Sequence, residues 1–272
     1  MNSLQEASSI FKAFKRGGPS FGAWQMLPGT NHSRAIARSG VDWICIDGEH
    51  GNIDDGAMHE AVVAIAATGV SPIVRIAANE AWMVKRALDA GAHGIVVPLI
   101  YTVEDAKRLV SSAKFPPEGT RGFGSPFSPQ TFSNESMTQY LQSANAALLT
   151  IVQIETKSAL ESVREIAAIP GVDCLLIGPF DLGNNIGRPI LGEMHEELKT
   201  AIHNIKEAAH AEGKKVGIYC TSGQQAREYA EKGFDMISIS ADMLGITQYF
   251  SETLATASGA GGAQKGTGYD GR

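Results

Sequence analysis

The sequence predicts a closed (β/α)8 barrel: one α/β domain over residues 1–257, with an N-terminal helix capping its bottom, and then a flexible Gly-rich tail over 258–272. Three observations lead there. Strand-like and helix-like stretches alternate eight times along the chain. The strands are short and β-branched, which favours a parallel sheet closed on itself over an open doubly wound one. The 272 residues suit barrels of this kind, which run to ~250 residues.

The elements follow in order. Residues 1–18 form an amphipathic helix carrying Lys12, Lys15 and Arg16. Glu6 and the stop at Gly17-Gly18-Pro19 mark it as an ordinary helix rather than a transit peptide. Strand one spans 20–24, and a helix over 30–39 ends at Gly40. Strand two, VDWICID over 41–47, runs into GEHG. A helix over 54–68 sets Ala61, Ile65 and Thr68 on one face and stops at Gly69. Strand three is PIVRI (72–76), and Asn79 is placed to cap the helix over 79–90. Strand four, GIVVPL (94–99), leads to a helix over 103–113. The section 115–136 is rich in Pro, Gly and Ser and too long for a simple connector, so it is expected to belong to a site or an interface. A weak helix over 137–144 precedes strand five (148–154) and its helix (157–168). Strand six (173–177), a long helix (193–212), strand seven (215–219), a helix (223–232), strand eight (234–239) and a closing helix (241–257) complete the barrel. The tail SGAGGAQKGTGYDGR has no apolar period and is expected to be mobile.

Composition narrows the function. A formal net charge of −6 with no basic stripe argues against a nucleic-acid partner. No apolar run reaches the ~20 residues a membrane helix needs, so no membrane partner is expected. Cys45, Cys174 and Cys220 lie far apart in or beside apolar runs, as buried thiols of a reducing compartment do. A cytoplasmic location is expected.

Chemistry in such barrels gathers on the loops at the carboxyl ends of the strands. Glu155 follows strand five and Asp181 follows strand six. With parallel strands, both carboxylates emerge at one edge. Two hard oxygen donors there suit a divalent cation such as Mg²⁺ or Mn²⁺. The plainer alternative is a helix cap and a turn. The same rim collects Trp24, Asp47, Glu49, His50, Arg75 and Gln153. Each alone reads as core, cap or ion pair; on one rim their side chains can converge. A cation on the two carboxylates would chelate a 2-oxo acid and stabilise its enolate. Arg75 offers a planar cation to the same oxygens. A histidine, as at position 50, exchanges a proton near neutral pH. No lysine stands at a strand carboxyl end, so Schiff-base chemistry lacks its nucleophile. After strands seven and eight, TSGQQ and SADML are weak phosphate loops, and a phosphorylated substrate is not favoured.

Five segments carry a resemblance: FGAW, VDWICIDGEHG, VVPLIYTVEDAKRLVSSAKFPPEGTRGFG, VQIET and GVDCLLIGPFDLG. They resemble the metal-dependent 4-hydroxy-2-oxoheptanedioate aldolase and 2-dehydro-3-deoxyglucarate aldolase family, relatives of the citrate lyase β-subunit. The likeness covers about residues 10–255, and the combination of IDGEH, PPEGTRG, QIET and GPFDL is specific. It implies a (β/α)8 barrel, assembled as a homohexamer (a trimer of dimers), that makes or breaks a carbon–carbon bond next to pyruvate, with an aldehyde as the other partner. By that likeness His50 is the general base and Arg75 stabilises the enolate. Asp89 would raise the histidine's basicity from across a subunit contact. Glu155 and Asp181 would hold the divalent ion, Mg²⁺ or Mn²⁺, with Co²⁺ or Zn²⁺ as alternatives. Gln153, Asp181 and the backbone at Phe180 would contact the pyruvate side, and Trp24 would lie near the substrate.

One position departs from the family: Phe180 stands where a small residue is often found, which leaves the aldehyde open. The expected activity is a class II aldolase acting on a 4-hydroxy-2-oxo acid. The alternatives are related enolate chemistry on the same site (oxaloacetate decarboxylation, a Diels–Alder-like synthase reaction of the macrophomate synthase kind, acyl-CoA cleavage) or a non-catalytic metabolite-binding barrel. The last has no need of His50 and Arg75 together.

Overall fold

Eight parallel strands pair in sequence order and close on themselves: β1 (Ser20–Gln25), β2 (Trp43–Asp47), β3 (Ser71–Arg75), β4 (Gly94–Val97), β5 (Leu149–Ile154), β6 (Cys174–Ile177), β7 (Lys215–Ile218) and β8 (Met236–Ala241). The structure is a computed structural model, and it describes residues 2–133 and 136–259. The tail expected over 258–272 therefore falls, from residue 260 onward, outside the described residues.

Strands β2 to β6 are buried at every residue, because helices cover one face and the barrel interior takes the other. Alternate side chains point inward. Trp43, Ile73, Leu149 and Cys174 fill the lower interior with Ile10. Gly22 makes room for the largest of them: a Cβ there would sit 2.0 Å from the Trp43 indole. Continuing the same alternation toward the carboxyl ends brings Trp24, Asp47, Arg75 and Gln153 to the top of the interior.

The helices are α1 (Ser3–Ala7), α2 (Ser9–Arg16), α3 (Thr30–Ala37), α4 (Asp55–Ala66), α5 (Ala81–Asp89), α6 (Val103–Ala113), α7 (Met137–Ala147), α8 (Lys157–Glu161), α9 (Val163–Ala167), α10 (Pro179–Asn185), α11 (Glu196–Ala211), α12 (Gly223–Glu231) and α13 (Asp242–Ala257). The N-terminal cap is two helices rather than one, because Ser8 ends α1 and caps α2 with its hydroxyl. It closes the barrel bottom by inserting Ile10, and its chain is sewn to β3. Ser71 Oγ receives the Ile10 N–H at 3.1 Å and the Ser9 hydroxyl at 3.0 Å.

Several element boundaries differ from the sequence reading. Asn79 does not cap α5: its side chain donates to the Asp105 carbonyl, and Glu80 holds the cap position. Thr68 lies beyond α4, exposed, with its hydroxyl on the Ile65 carbonyl. The helix expected over 157–168 is broken at Ser162 into α8 and α9. α7 runs on to Ala147, and α11 starts at Glu196, capped by His195. α10, seven residues long, opens directly on the Pro179 after β6. Within the long section after α6, Ser128–Thr131 forms a 3-10 turn.

Candidate active site

The site is built on the top layer of the barrel, and Asp47 is its anchor. This side chain is fully buried at the end of β2. Its Oδ1 accepts the Arg75 Nε–H at 2.9 Å and the backbone N–H groups of Glu49 and His50 at 3.1 and 3.2 Å. Its Oδ2 accepts Arg75 Nη2 at 2.6 Å and Trp24 Nε1 at 3.1 Å. The β2–β3 register pairs Asp47 with Arg75, so the fork is dictated by strand alignment. Burial works against the Asp47 charge, but the Arg75 guanidinium and the two backbone donors outweigh it and hold the carboxyl below the usual carboxylate range. Arg75 also reaches Glu49 Oε2 with Nη1 at 3.0 Å and lies 5.1 Å over the Trp24 ring. Its own ionisation is strengthened: burial acts to lower its pKa, and Asp47 and Glu49 raise it further than that.

His50 sits at the open end of this arrangement. Its side chain is 60% exposed, and Nε2 is 3.8 Å from Glu49 Oε1. The turn that carries it is fixed through its backbone N–H to Asp47.

Across the mouth, β5 delivers Gln153 and Glu155. Glu155 is not the helix cap: Thr156 takes that position and accepts from Ala159. Glu155 is buried, at 1% exposure. Its Oε1 accepts from the Leu99 N–H at 2.8 Å, and its Oε2 accepts from Gln153 Nε2 at 2.5 Å. Burial pushes the Glu155 pKa up to about 7, and the negative charges of Asp181 and Glu49 add to the rise. Glu49 is likewise raised, by burial first and by the neighbouring Asp47 and Asp181 charges. Asp181 lies exposed in the first turn of α10. Close approach is essential where β6 ends. A Cβ on Gly178 would meet Glu155 Oε2 at 2.6 Å and Gln153 Nε2 at 3.0 Å.

The donor set fits a hard divalent cation. It offers the Glu155 and Asp181 carboxylates, close enough for Asp181 to add to the rise of the Glu155 pKa, and beside them the buried Gln153 Oε1 has no hydrogen-bond partner among the described residues. Among the described residues no three His, Cys, Asp or Glu side chains gather into a complete metal cage. A cation on Glu155 and Asp181 would therefore keep positions open for water or substrate oxygens, as Mg²⁺ sites do.

Trp24, His50, Arg75, Gln153, Phe180 and Asp181 line one cavity of about 590 Å³. Glu155 stands behind Gln153 and Gly178. Asp89 is not part of this cavity: it ends α5, where it pairs with Arg121 Nη2 at 2.8 Å. Within one chain it does not face His50, so the role implied for it requires a second copy.

The family model described as HpcH/HpaI aldolase/citrate lyase matches residues 22–247. The chain belongs to that family. A hydroxypyruvate/pyruvate aldolase of Rhizorhabdus wittichii is 35% identical over 251 residues, covering 92% of this chain and 98% of the relative. A 5-keto-4-deoxy-D-glucarate aldolase of Shigella boydii is 32% identical over 235 residues, covering 86% and 90%. The crystal structure of an HpcH/HpaI aldolase/citrate lyase family protein from Burkholderia cenocepacia superposes with a TM-score of 0.81 at 36% identity, over 89% of this chain and 95% of that one. The chain is thus an enzyme of the aldolase/lyase class, acting on carbon–carbon bonds.

Sequence reasoning missed three contributors to this lyase's site. Leu99 adopts φ +51° and turns its N–H to Glu155, and no residue type there signals that conformation. Gly178 read only as part of a motif. Tyr219 lines the cavity beside Trp24, with ring centroids 5.3 Å apart. It had a signal: counting by twos from Lys215 places it on the inward face.

Proposed function

We propose that the chain is a divalent-cation-dependent pyruvate aldolase that cleaves or forms the C3–C4 bond of a 4-hydroxy-2-oxo acid, with pyruvate and an aldehyde as the other side of the equilibrium. One observation carries the reading: Asp181, the anchored Arg75 guanidinium and the accessible His50 imidazole line one cavity, with the buried Glu155 carboxylate in electrostatic reach of Asp181. The cation, Mg²⁺ or Mn²⁺, with Co²⁺ or Zn²⁺ as alternatives, supplies Lewis-acid stabilisation of the enolate charge when bound. Glu155 and Asp181 hold it. Arg75, fixed by Asp47 and Glu49, presents positive charge to the same oxygens without having to reorganise. Trp24 lies 5.1 Å from that guanidinium and donates to the same Asp47 carboxylate. Gln153 and the backbone at Phe180 orient the 2-oxo acid. In cleavage His50 takes the proton from the C4 hydroxyl as the C3–C4 bond breaks, and a proton returns to C3 to complete pyruvate.

The chain would act as a homo-oligomer, a hexamer by family likeness, with Asp89 reaching His50 from a neighbouring copy. Support comes from α13, which buries none of its residues and exposes Ile246, Phe250 and Leu254 at spacings of four. The three thiols, all buried and unbridged, support a reducing, cytoplasmic setting. Among the described residues no helix is long and apolar enough to cross a membrane.

Glu155→Gln and Asp181→Asn should each lower metal-dependent cleavage at least 100-fold and abolish Mn²⁺ binding in calorimetry. Full turnover by chelated protein, with metal loss confirmed by elemental analysis, would sink the reading.

A further inference from the structure

The cavity over the barrel has two chemically different walls. Toward β2, β3 and β5 it is polar, with Asp47, His50, Arg75 and Gln153. Toward β1, β6, β7 and β8, apart from Asp181 and Thr221, it is apolar, built from Met26, Phe180, Tyr219, Met243 and Leu244. Rings connect the two walls: Trp24 meets Tyr219 edge-on at 5.3 Å, and Tyr219 meets Phe180 at 6.5 Å and 65°.

The apolar wall is held in place before anything binds. Asp242, at the start of α13, accepts the backbone N–H groups of Met26 and Leu27, each at 3.0 Å, and contacts His32 Nε2 at 2.8 Å. Those bonds tie the loop after β1, with Met26, to the helix that supplies Met243 and Leu244. A wall fixed this way loses little freedom on binding.

Charge decides what that wall can accept. Among the described residues lining the cavity, Arg75 is the lysine-or-arginine cation, and Asp47 and Glu49 engage all three of its nitrogens. Beside the apolar wall the cavity is lined by the Asp181 carboxylate, and no lysine joins Arg75 there among the described residues. An aldehyde with its own carboxylate or sulfonate would bring a further negative charge against an apolar face that has no counter-ion. An alkyl or aryl group would bury its surface against rings and thioethers.

We propose that this wall is the aldehyde subsite and that it selects an uncharged aldehyde bearing an apolar or aromatic group. The inference rests on the pyruvate-enolate reading, which places the 2-oxo acid against the polar wall. The step it serves is balanced: the enolate carbon bonds to the aldehyde carbon, the aldehyde oxygen takes a proton and becomes the 4-hydroxyl, and nothing is oxidised or reduced.

Two measurements on the full chain with Mn²⁺ separate the inference from its foundation. Deuterium exchange into the pyruvate methyl group, followed by NMR without any aldehyde, reads enolate formation alone. Aldol rates with benzaldehyde and hexanal are then compared with those for succinic semialdehyde. The expected result is exchange together with a kcat/KM at least ten-fold higher for the uncharged aldehydes. Exchange with a preference for the semialdehyde would overturn the subsite; no exchange would overturn the enolate reading beneath it. Met243→Arg, at an exposed lining position, should shift the benzaldehyde-to-semialdehyde ratio at least ten-fold toward the semialdehyde. Phe180→Ala, as a second variant, should raise KM for benzaldehyde more than for the semialdehyde. Ratios unmoved by both variants would refute the assignment of this wall.

Discussion

Asp47 shows how much chemistry one carboxylate can organise. It accepts five hydrogen bonds, two from Arg75 and one each from Trp24, Glu49 and His50. Its part is therefore to hold the guanidinium and the histidine turn in place. Asp47→Asn puts an amide N–H₂ where an acceptor is needed and leaves Arg75 underpaired in a buried setting. The expected cost is about 3 kcal/mol of stability by urea denaturation, with at least a ten-fold fall in kcat. A variant as stable and as active as the parent would remove Asp47 from this role. Gly178 is the second residue to probe. Its φ of −95° is open to any residue, so Gly178→Ala strains no backbone, yet the new methyl would push the Glu155 carboxylate aside. A thermal midpoint within about 3 °C of the parent, together with a ten-fold weaker Mn²⁺ affinity, is the expected pattern.

Among the elements, the barrel bottom depends on size matching between neighbours. Gly22 of β1 lies beside Trp43 of β2 in register, and the indole occupies the space a β1 side chain would need. Gly22→Ala should therefore be far more disruptive than an alanine usually is in a strand. Ile10 of α2 fills the floor beneath it, at 0% exposure. Ile10→Ala should cost about 3 kcal/mol, read as a lower denaturation midpoint with the slope unchanged. α10 is the element the sequence concealed. Its short stretch after Pro179 carries no helical period long enough to detect, yet it positions Asp181 at the mouth. The break at Ser162 was hidden for the opposite reason, since α8 and α9 together keep one apolar rhythm.

For the molecule as a whole, a buried histidine at the bottom links separate parts of the fold. His93 stacks on Phe132 with centroids 4.2 Å apart, and its nitrogens contact Ser71 Oγ at 3.0 Å and the Thr131 carbonyl at 3.1 Å. A carbonyl only accepts, so Nε2 carries the proton and Nδ1 accepts from Ser71. Burial lowers the pKa of this imidazole to about 4. Between its ordinary 6.5 and about 4, the unfolded chain binds a proton that the folded chain excludes. Stability is thus complete above that window and drains as pH falls through it, by roughly 3 kcal/mol for this group. His93→Gln should flatten that part of the stability–pH curve; an identical slope would show that His93 is not its source. At the opposite end of the chain, the exposed stripe on α13 predicts that Leu254→Asp lowers the mass seen by light scattering. An unchanged mass would place the assembly contact elsewhere.

The sequence by itself determined the barrel, its strand order and the rim residues, because alternating periods and strand ends are local properties that survive without a structure. It also pointed to the Glu155–Asp181 pair, since parallel strands oblige both to emerge at one edge. The tertiary structure decided what each of those residues touches. The Asp47 fork on Arg75, the turned Leu99 N–H, the close pass at Gly178 and the apolar wall from β1, β7 and α13 all join positions distant in the chain. Such contacts are set by how strands stagger around a closed cylinder, and no local pattern of residues encodes that stagger.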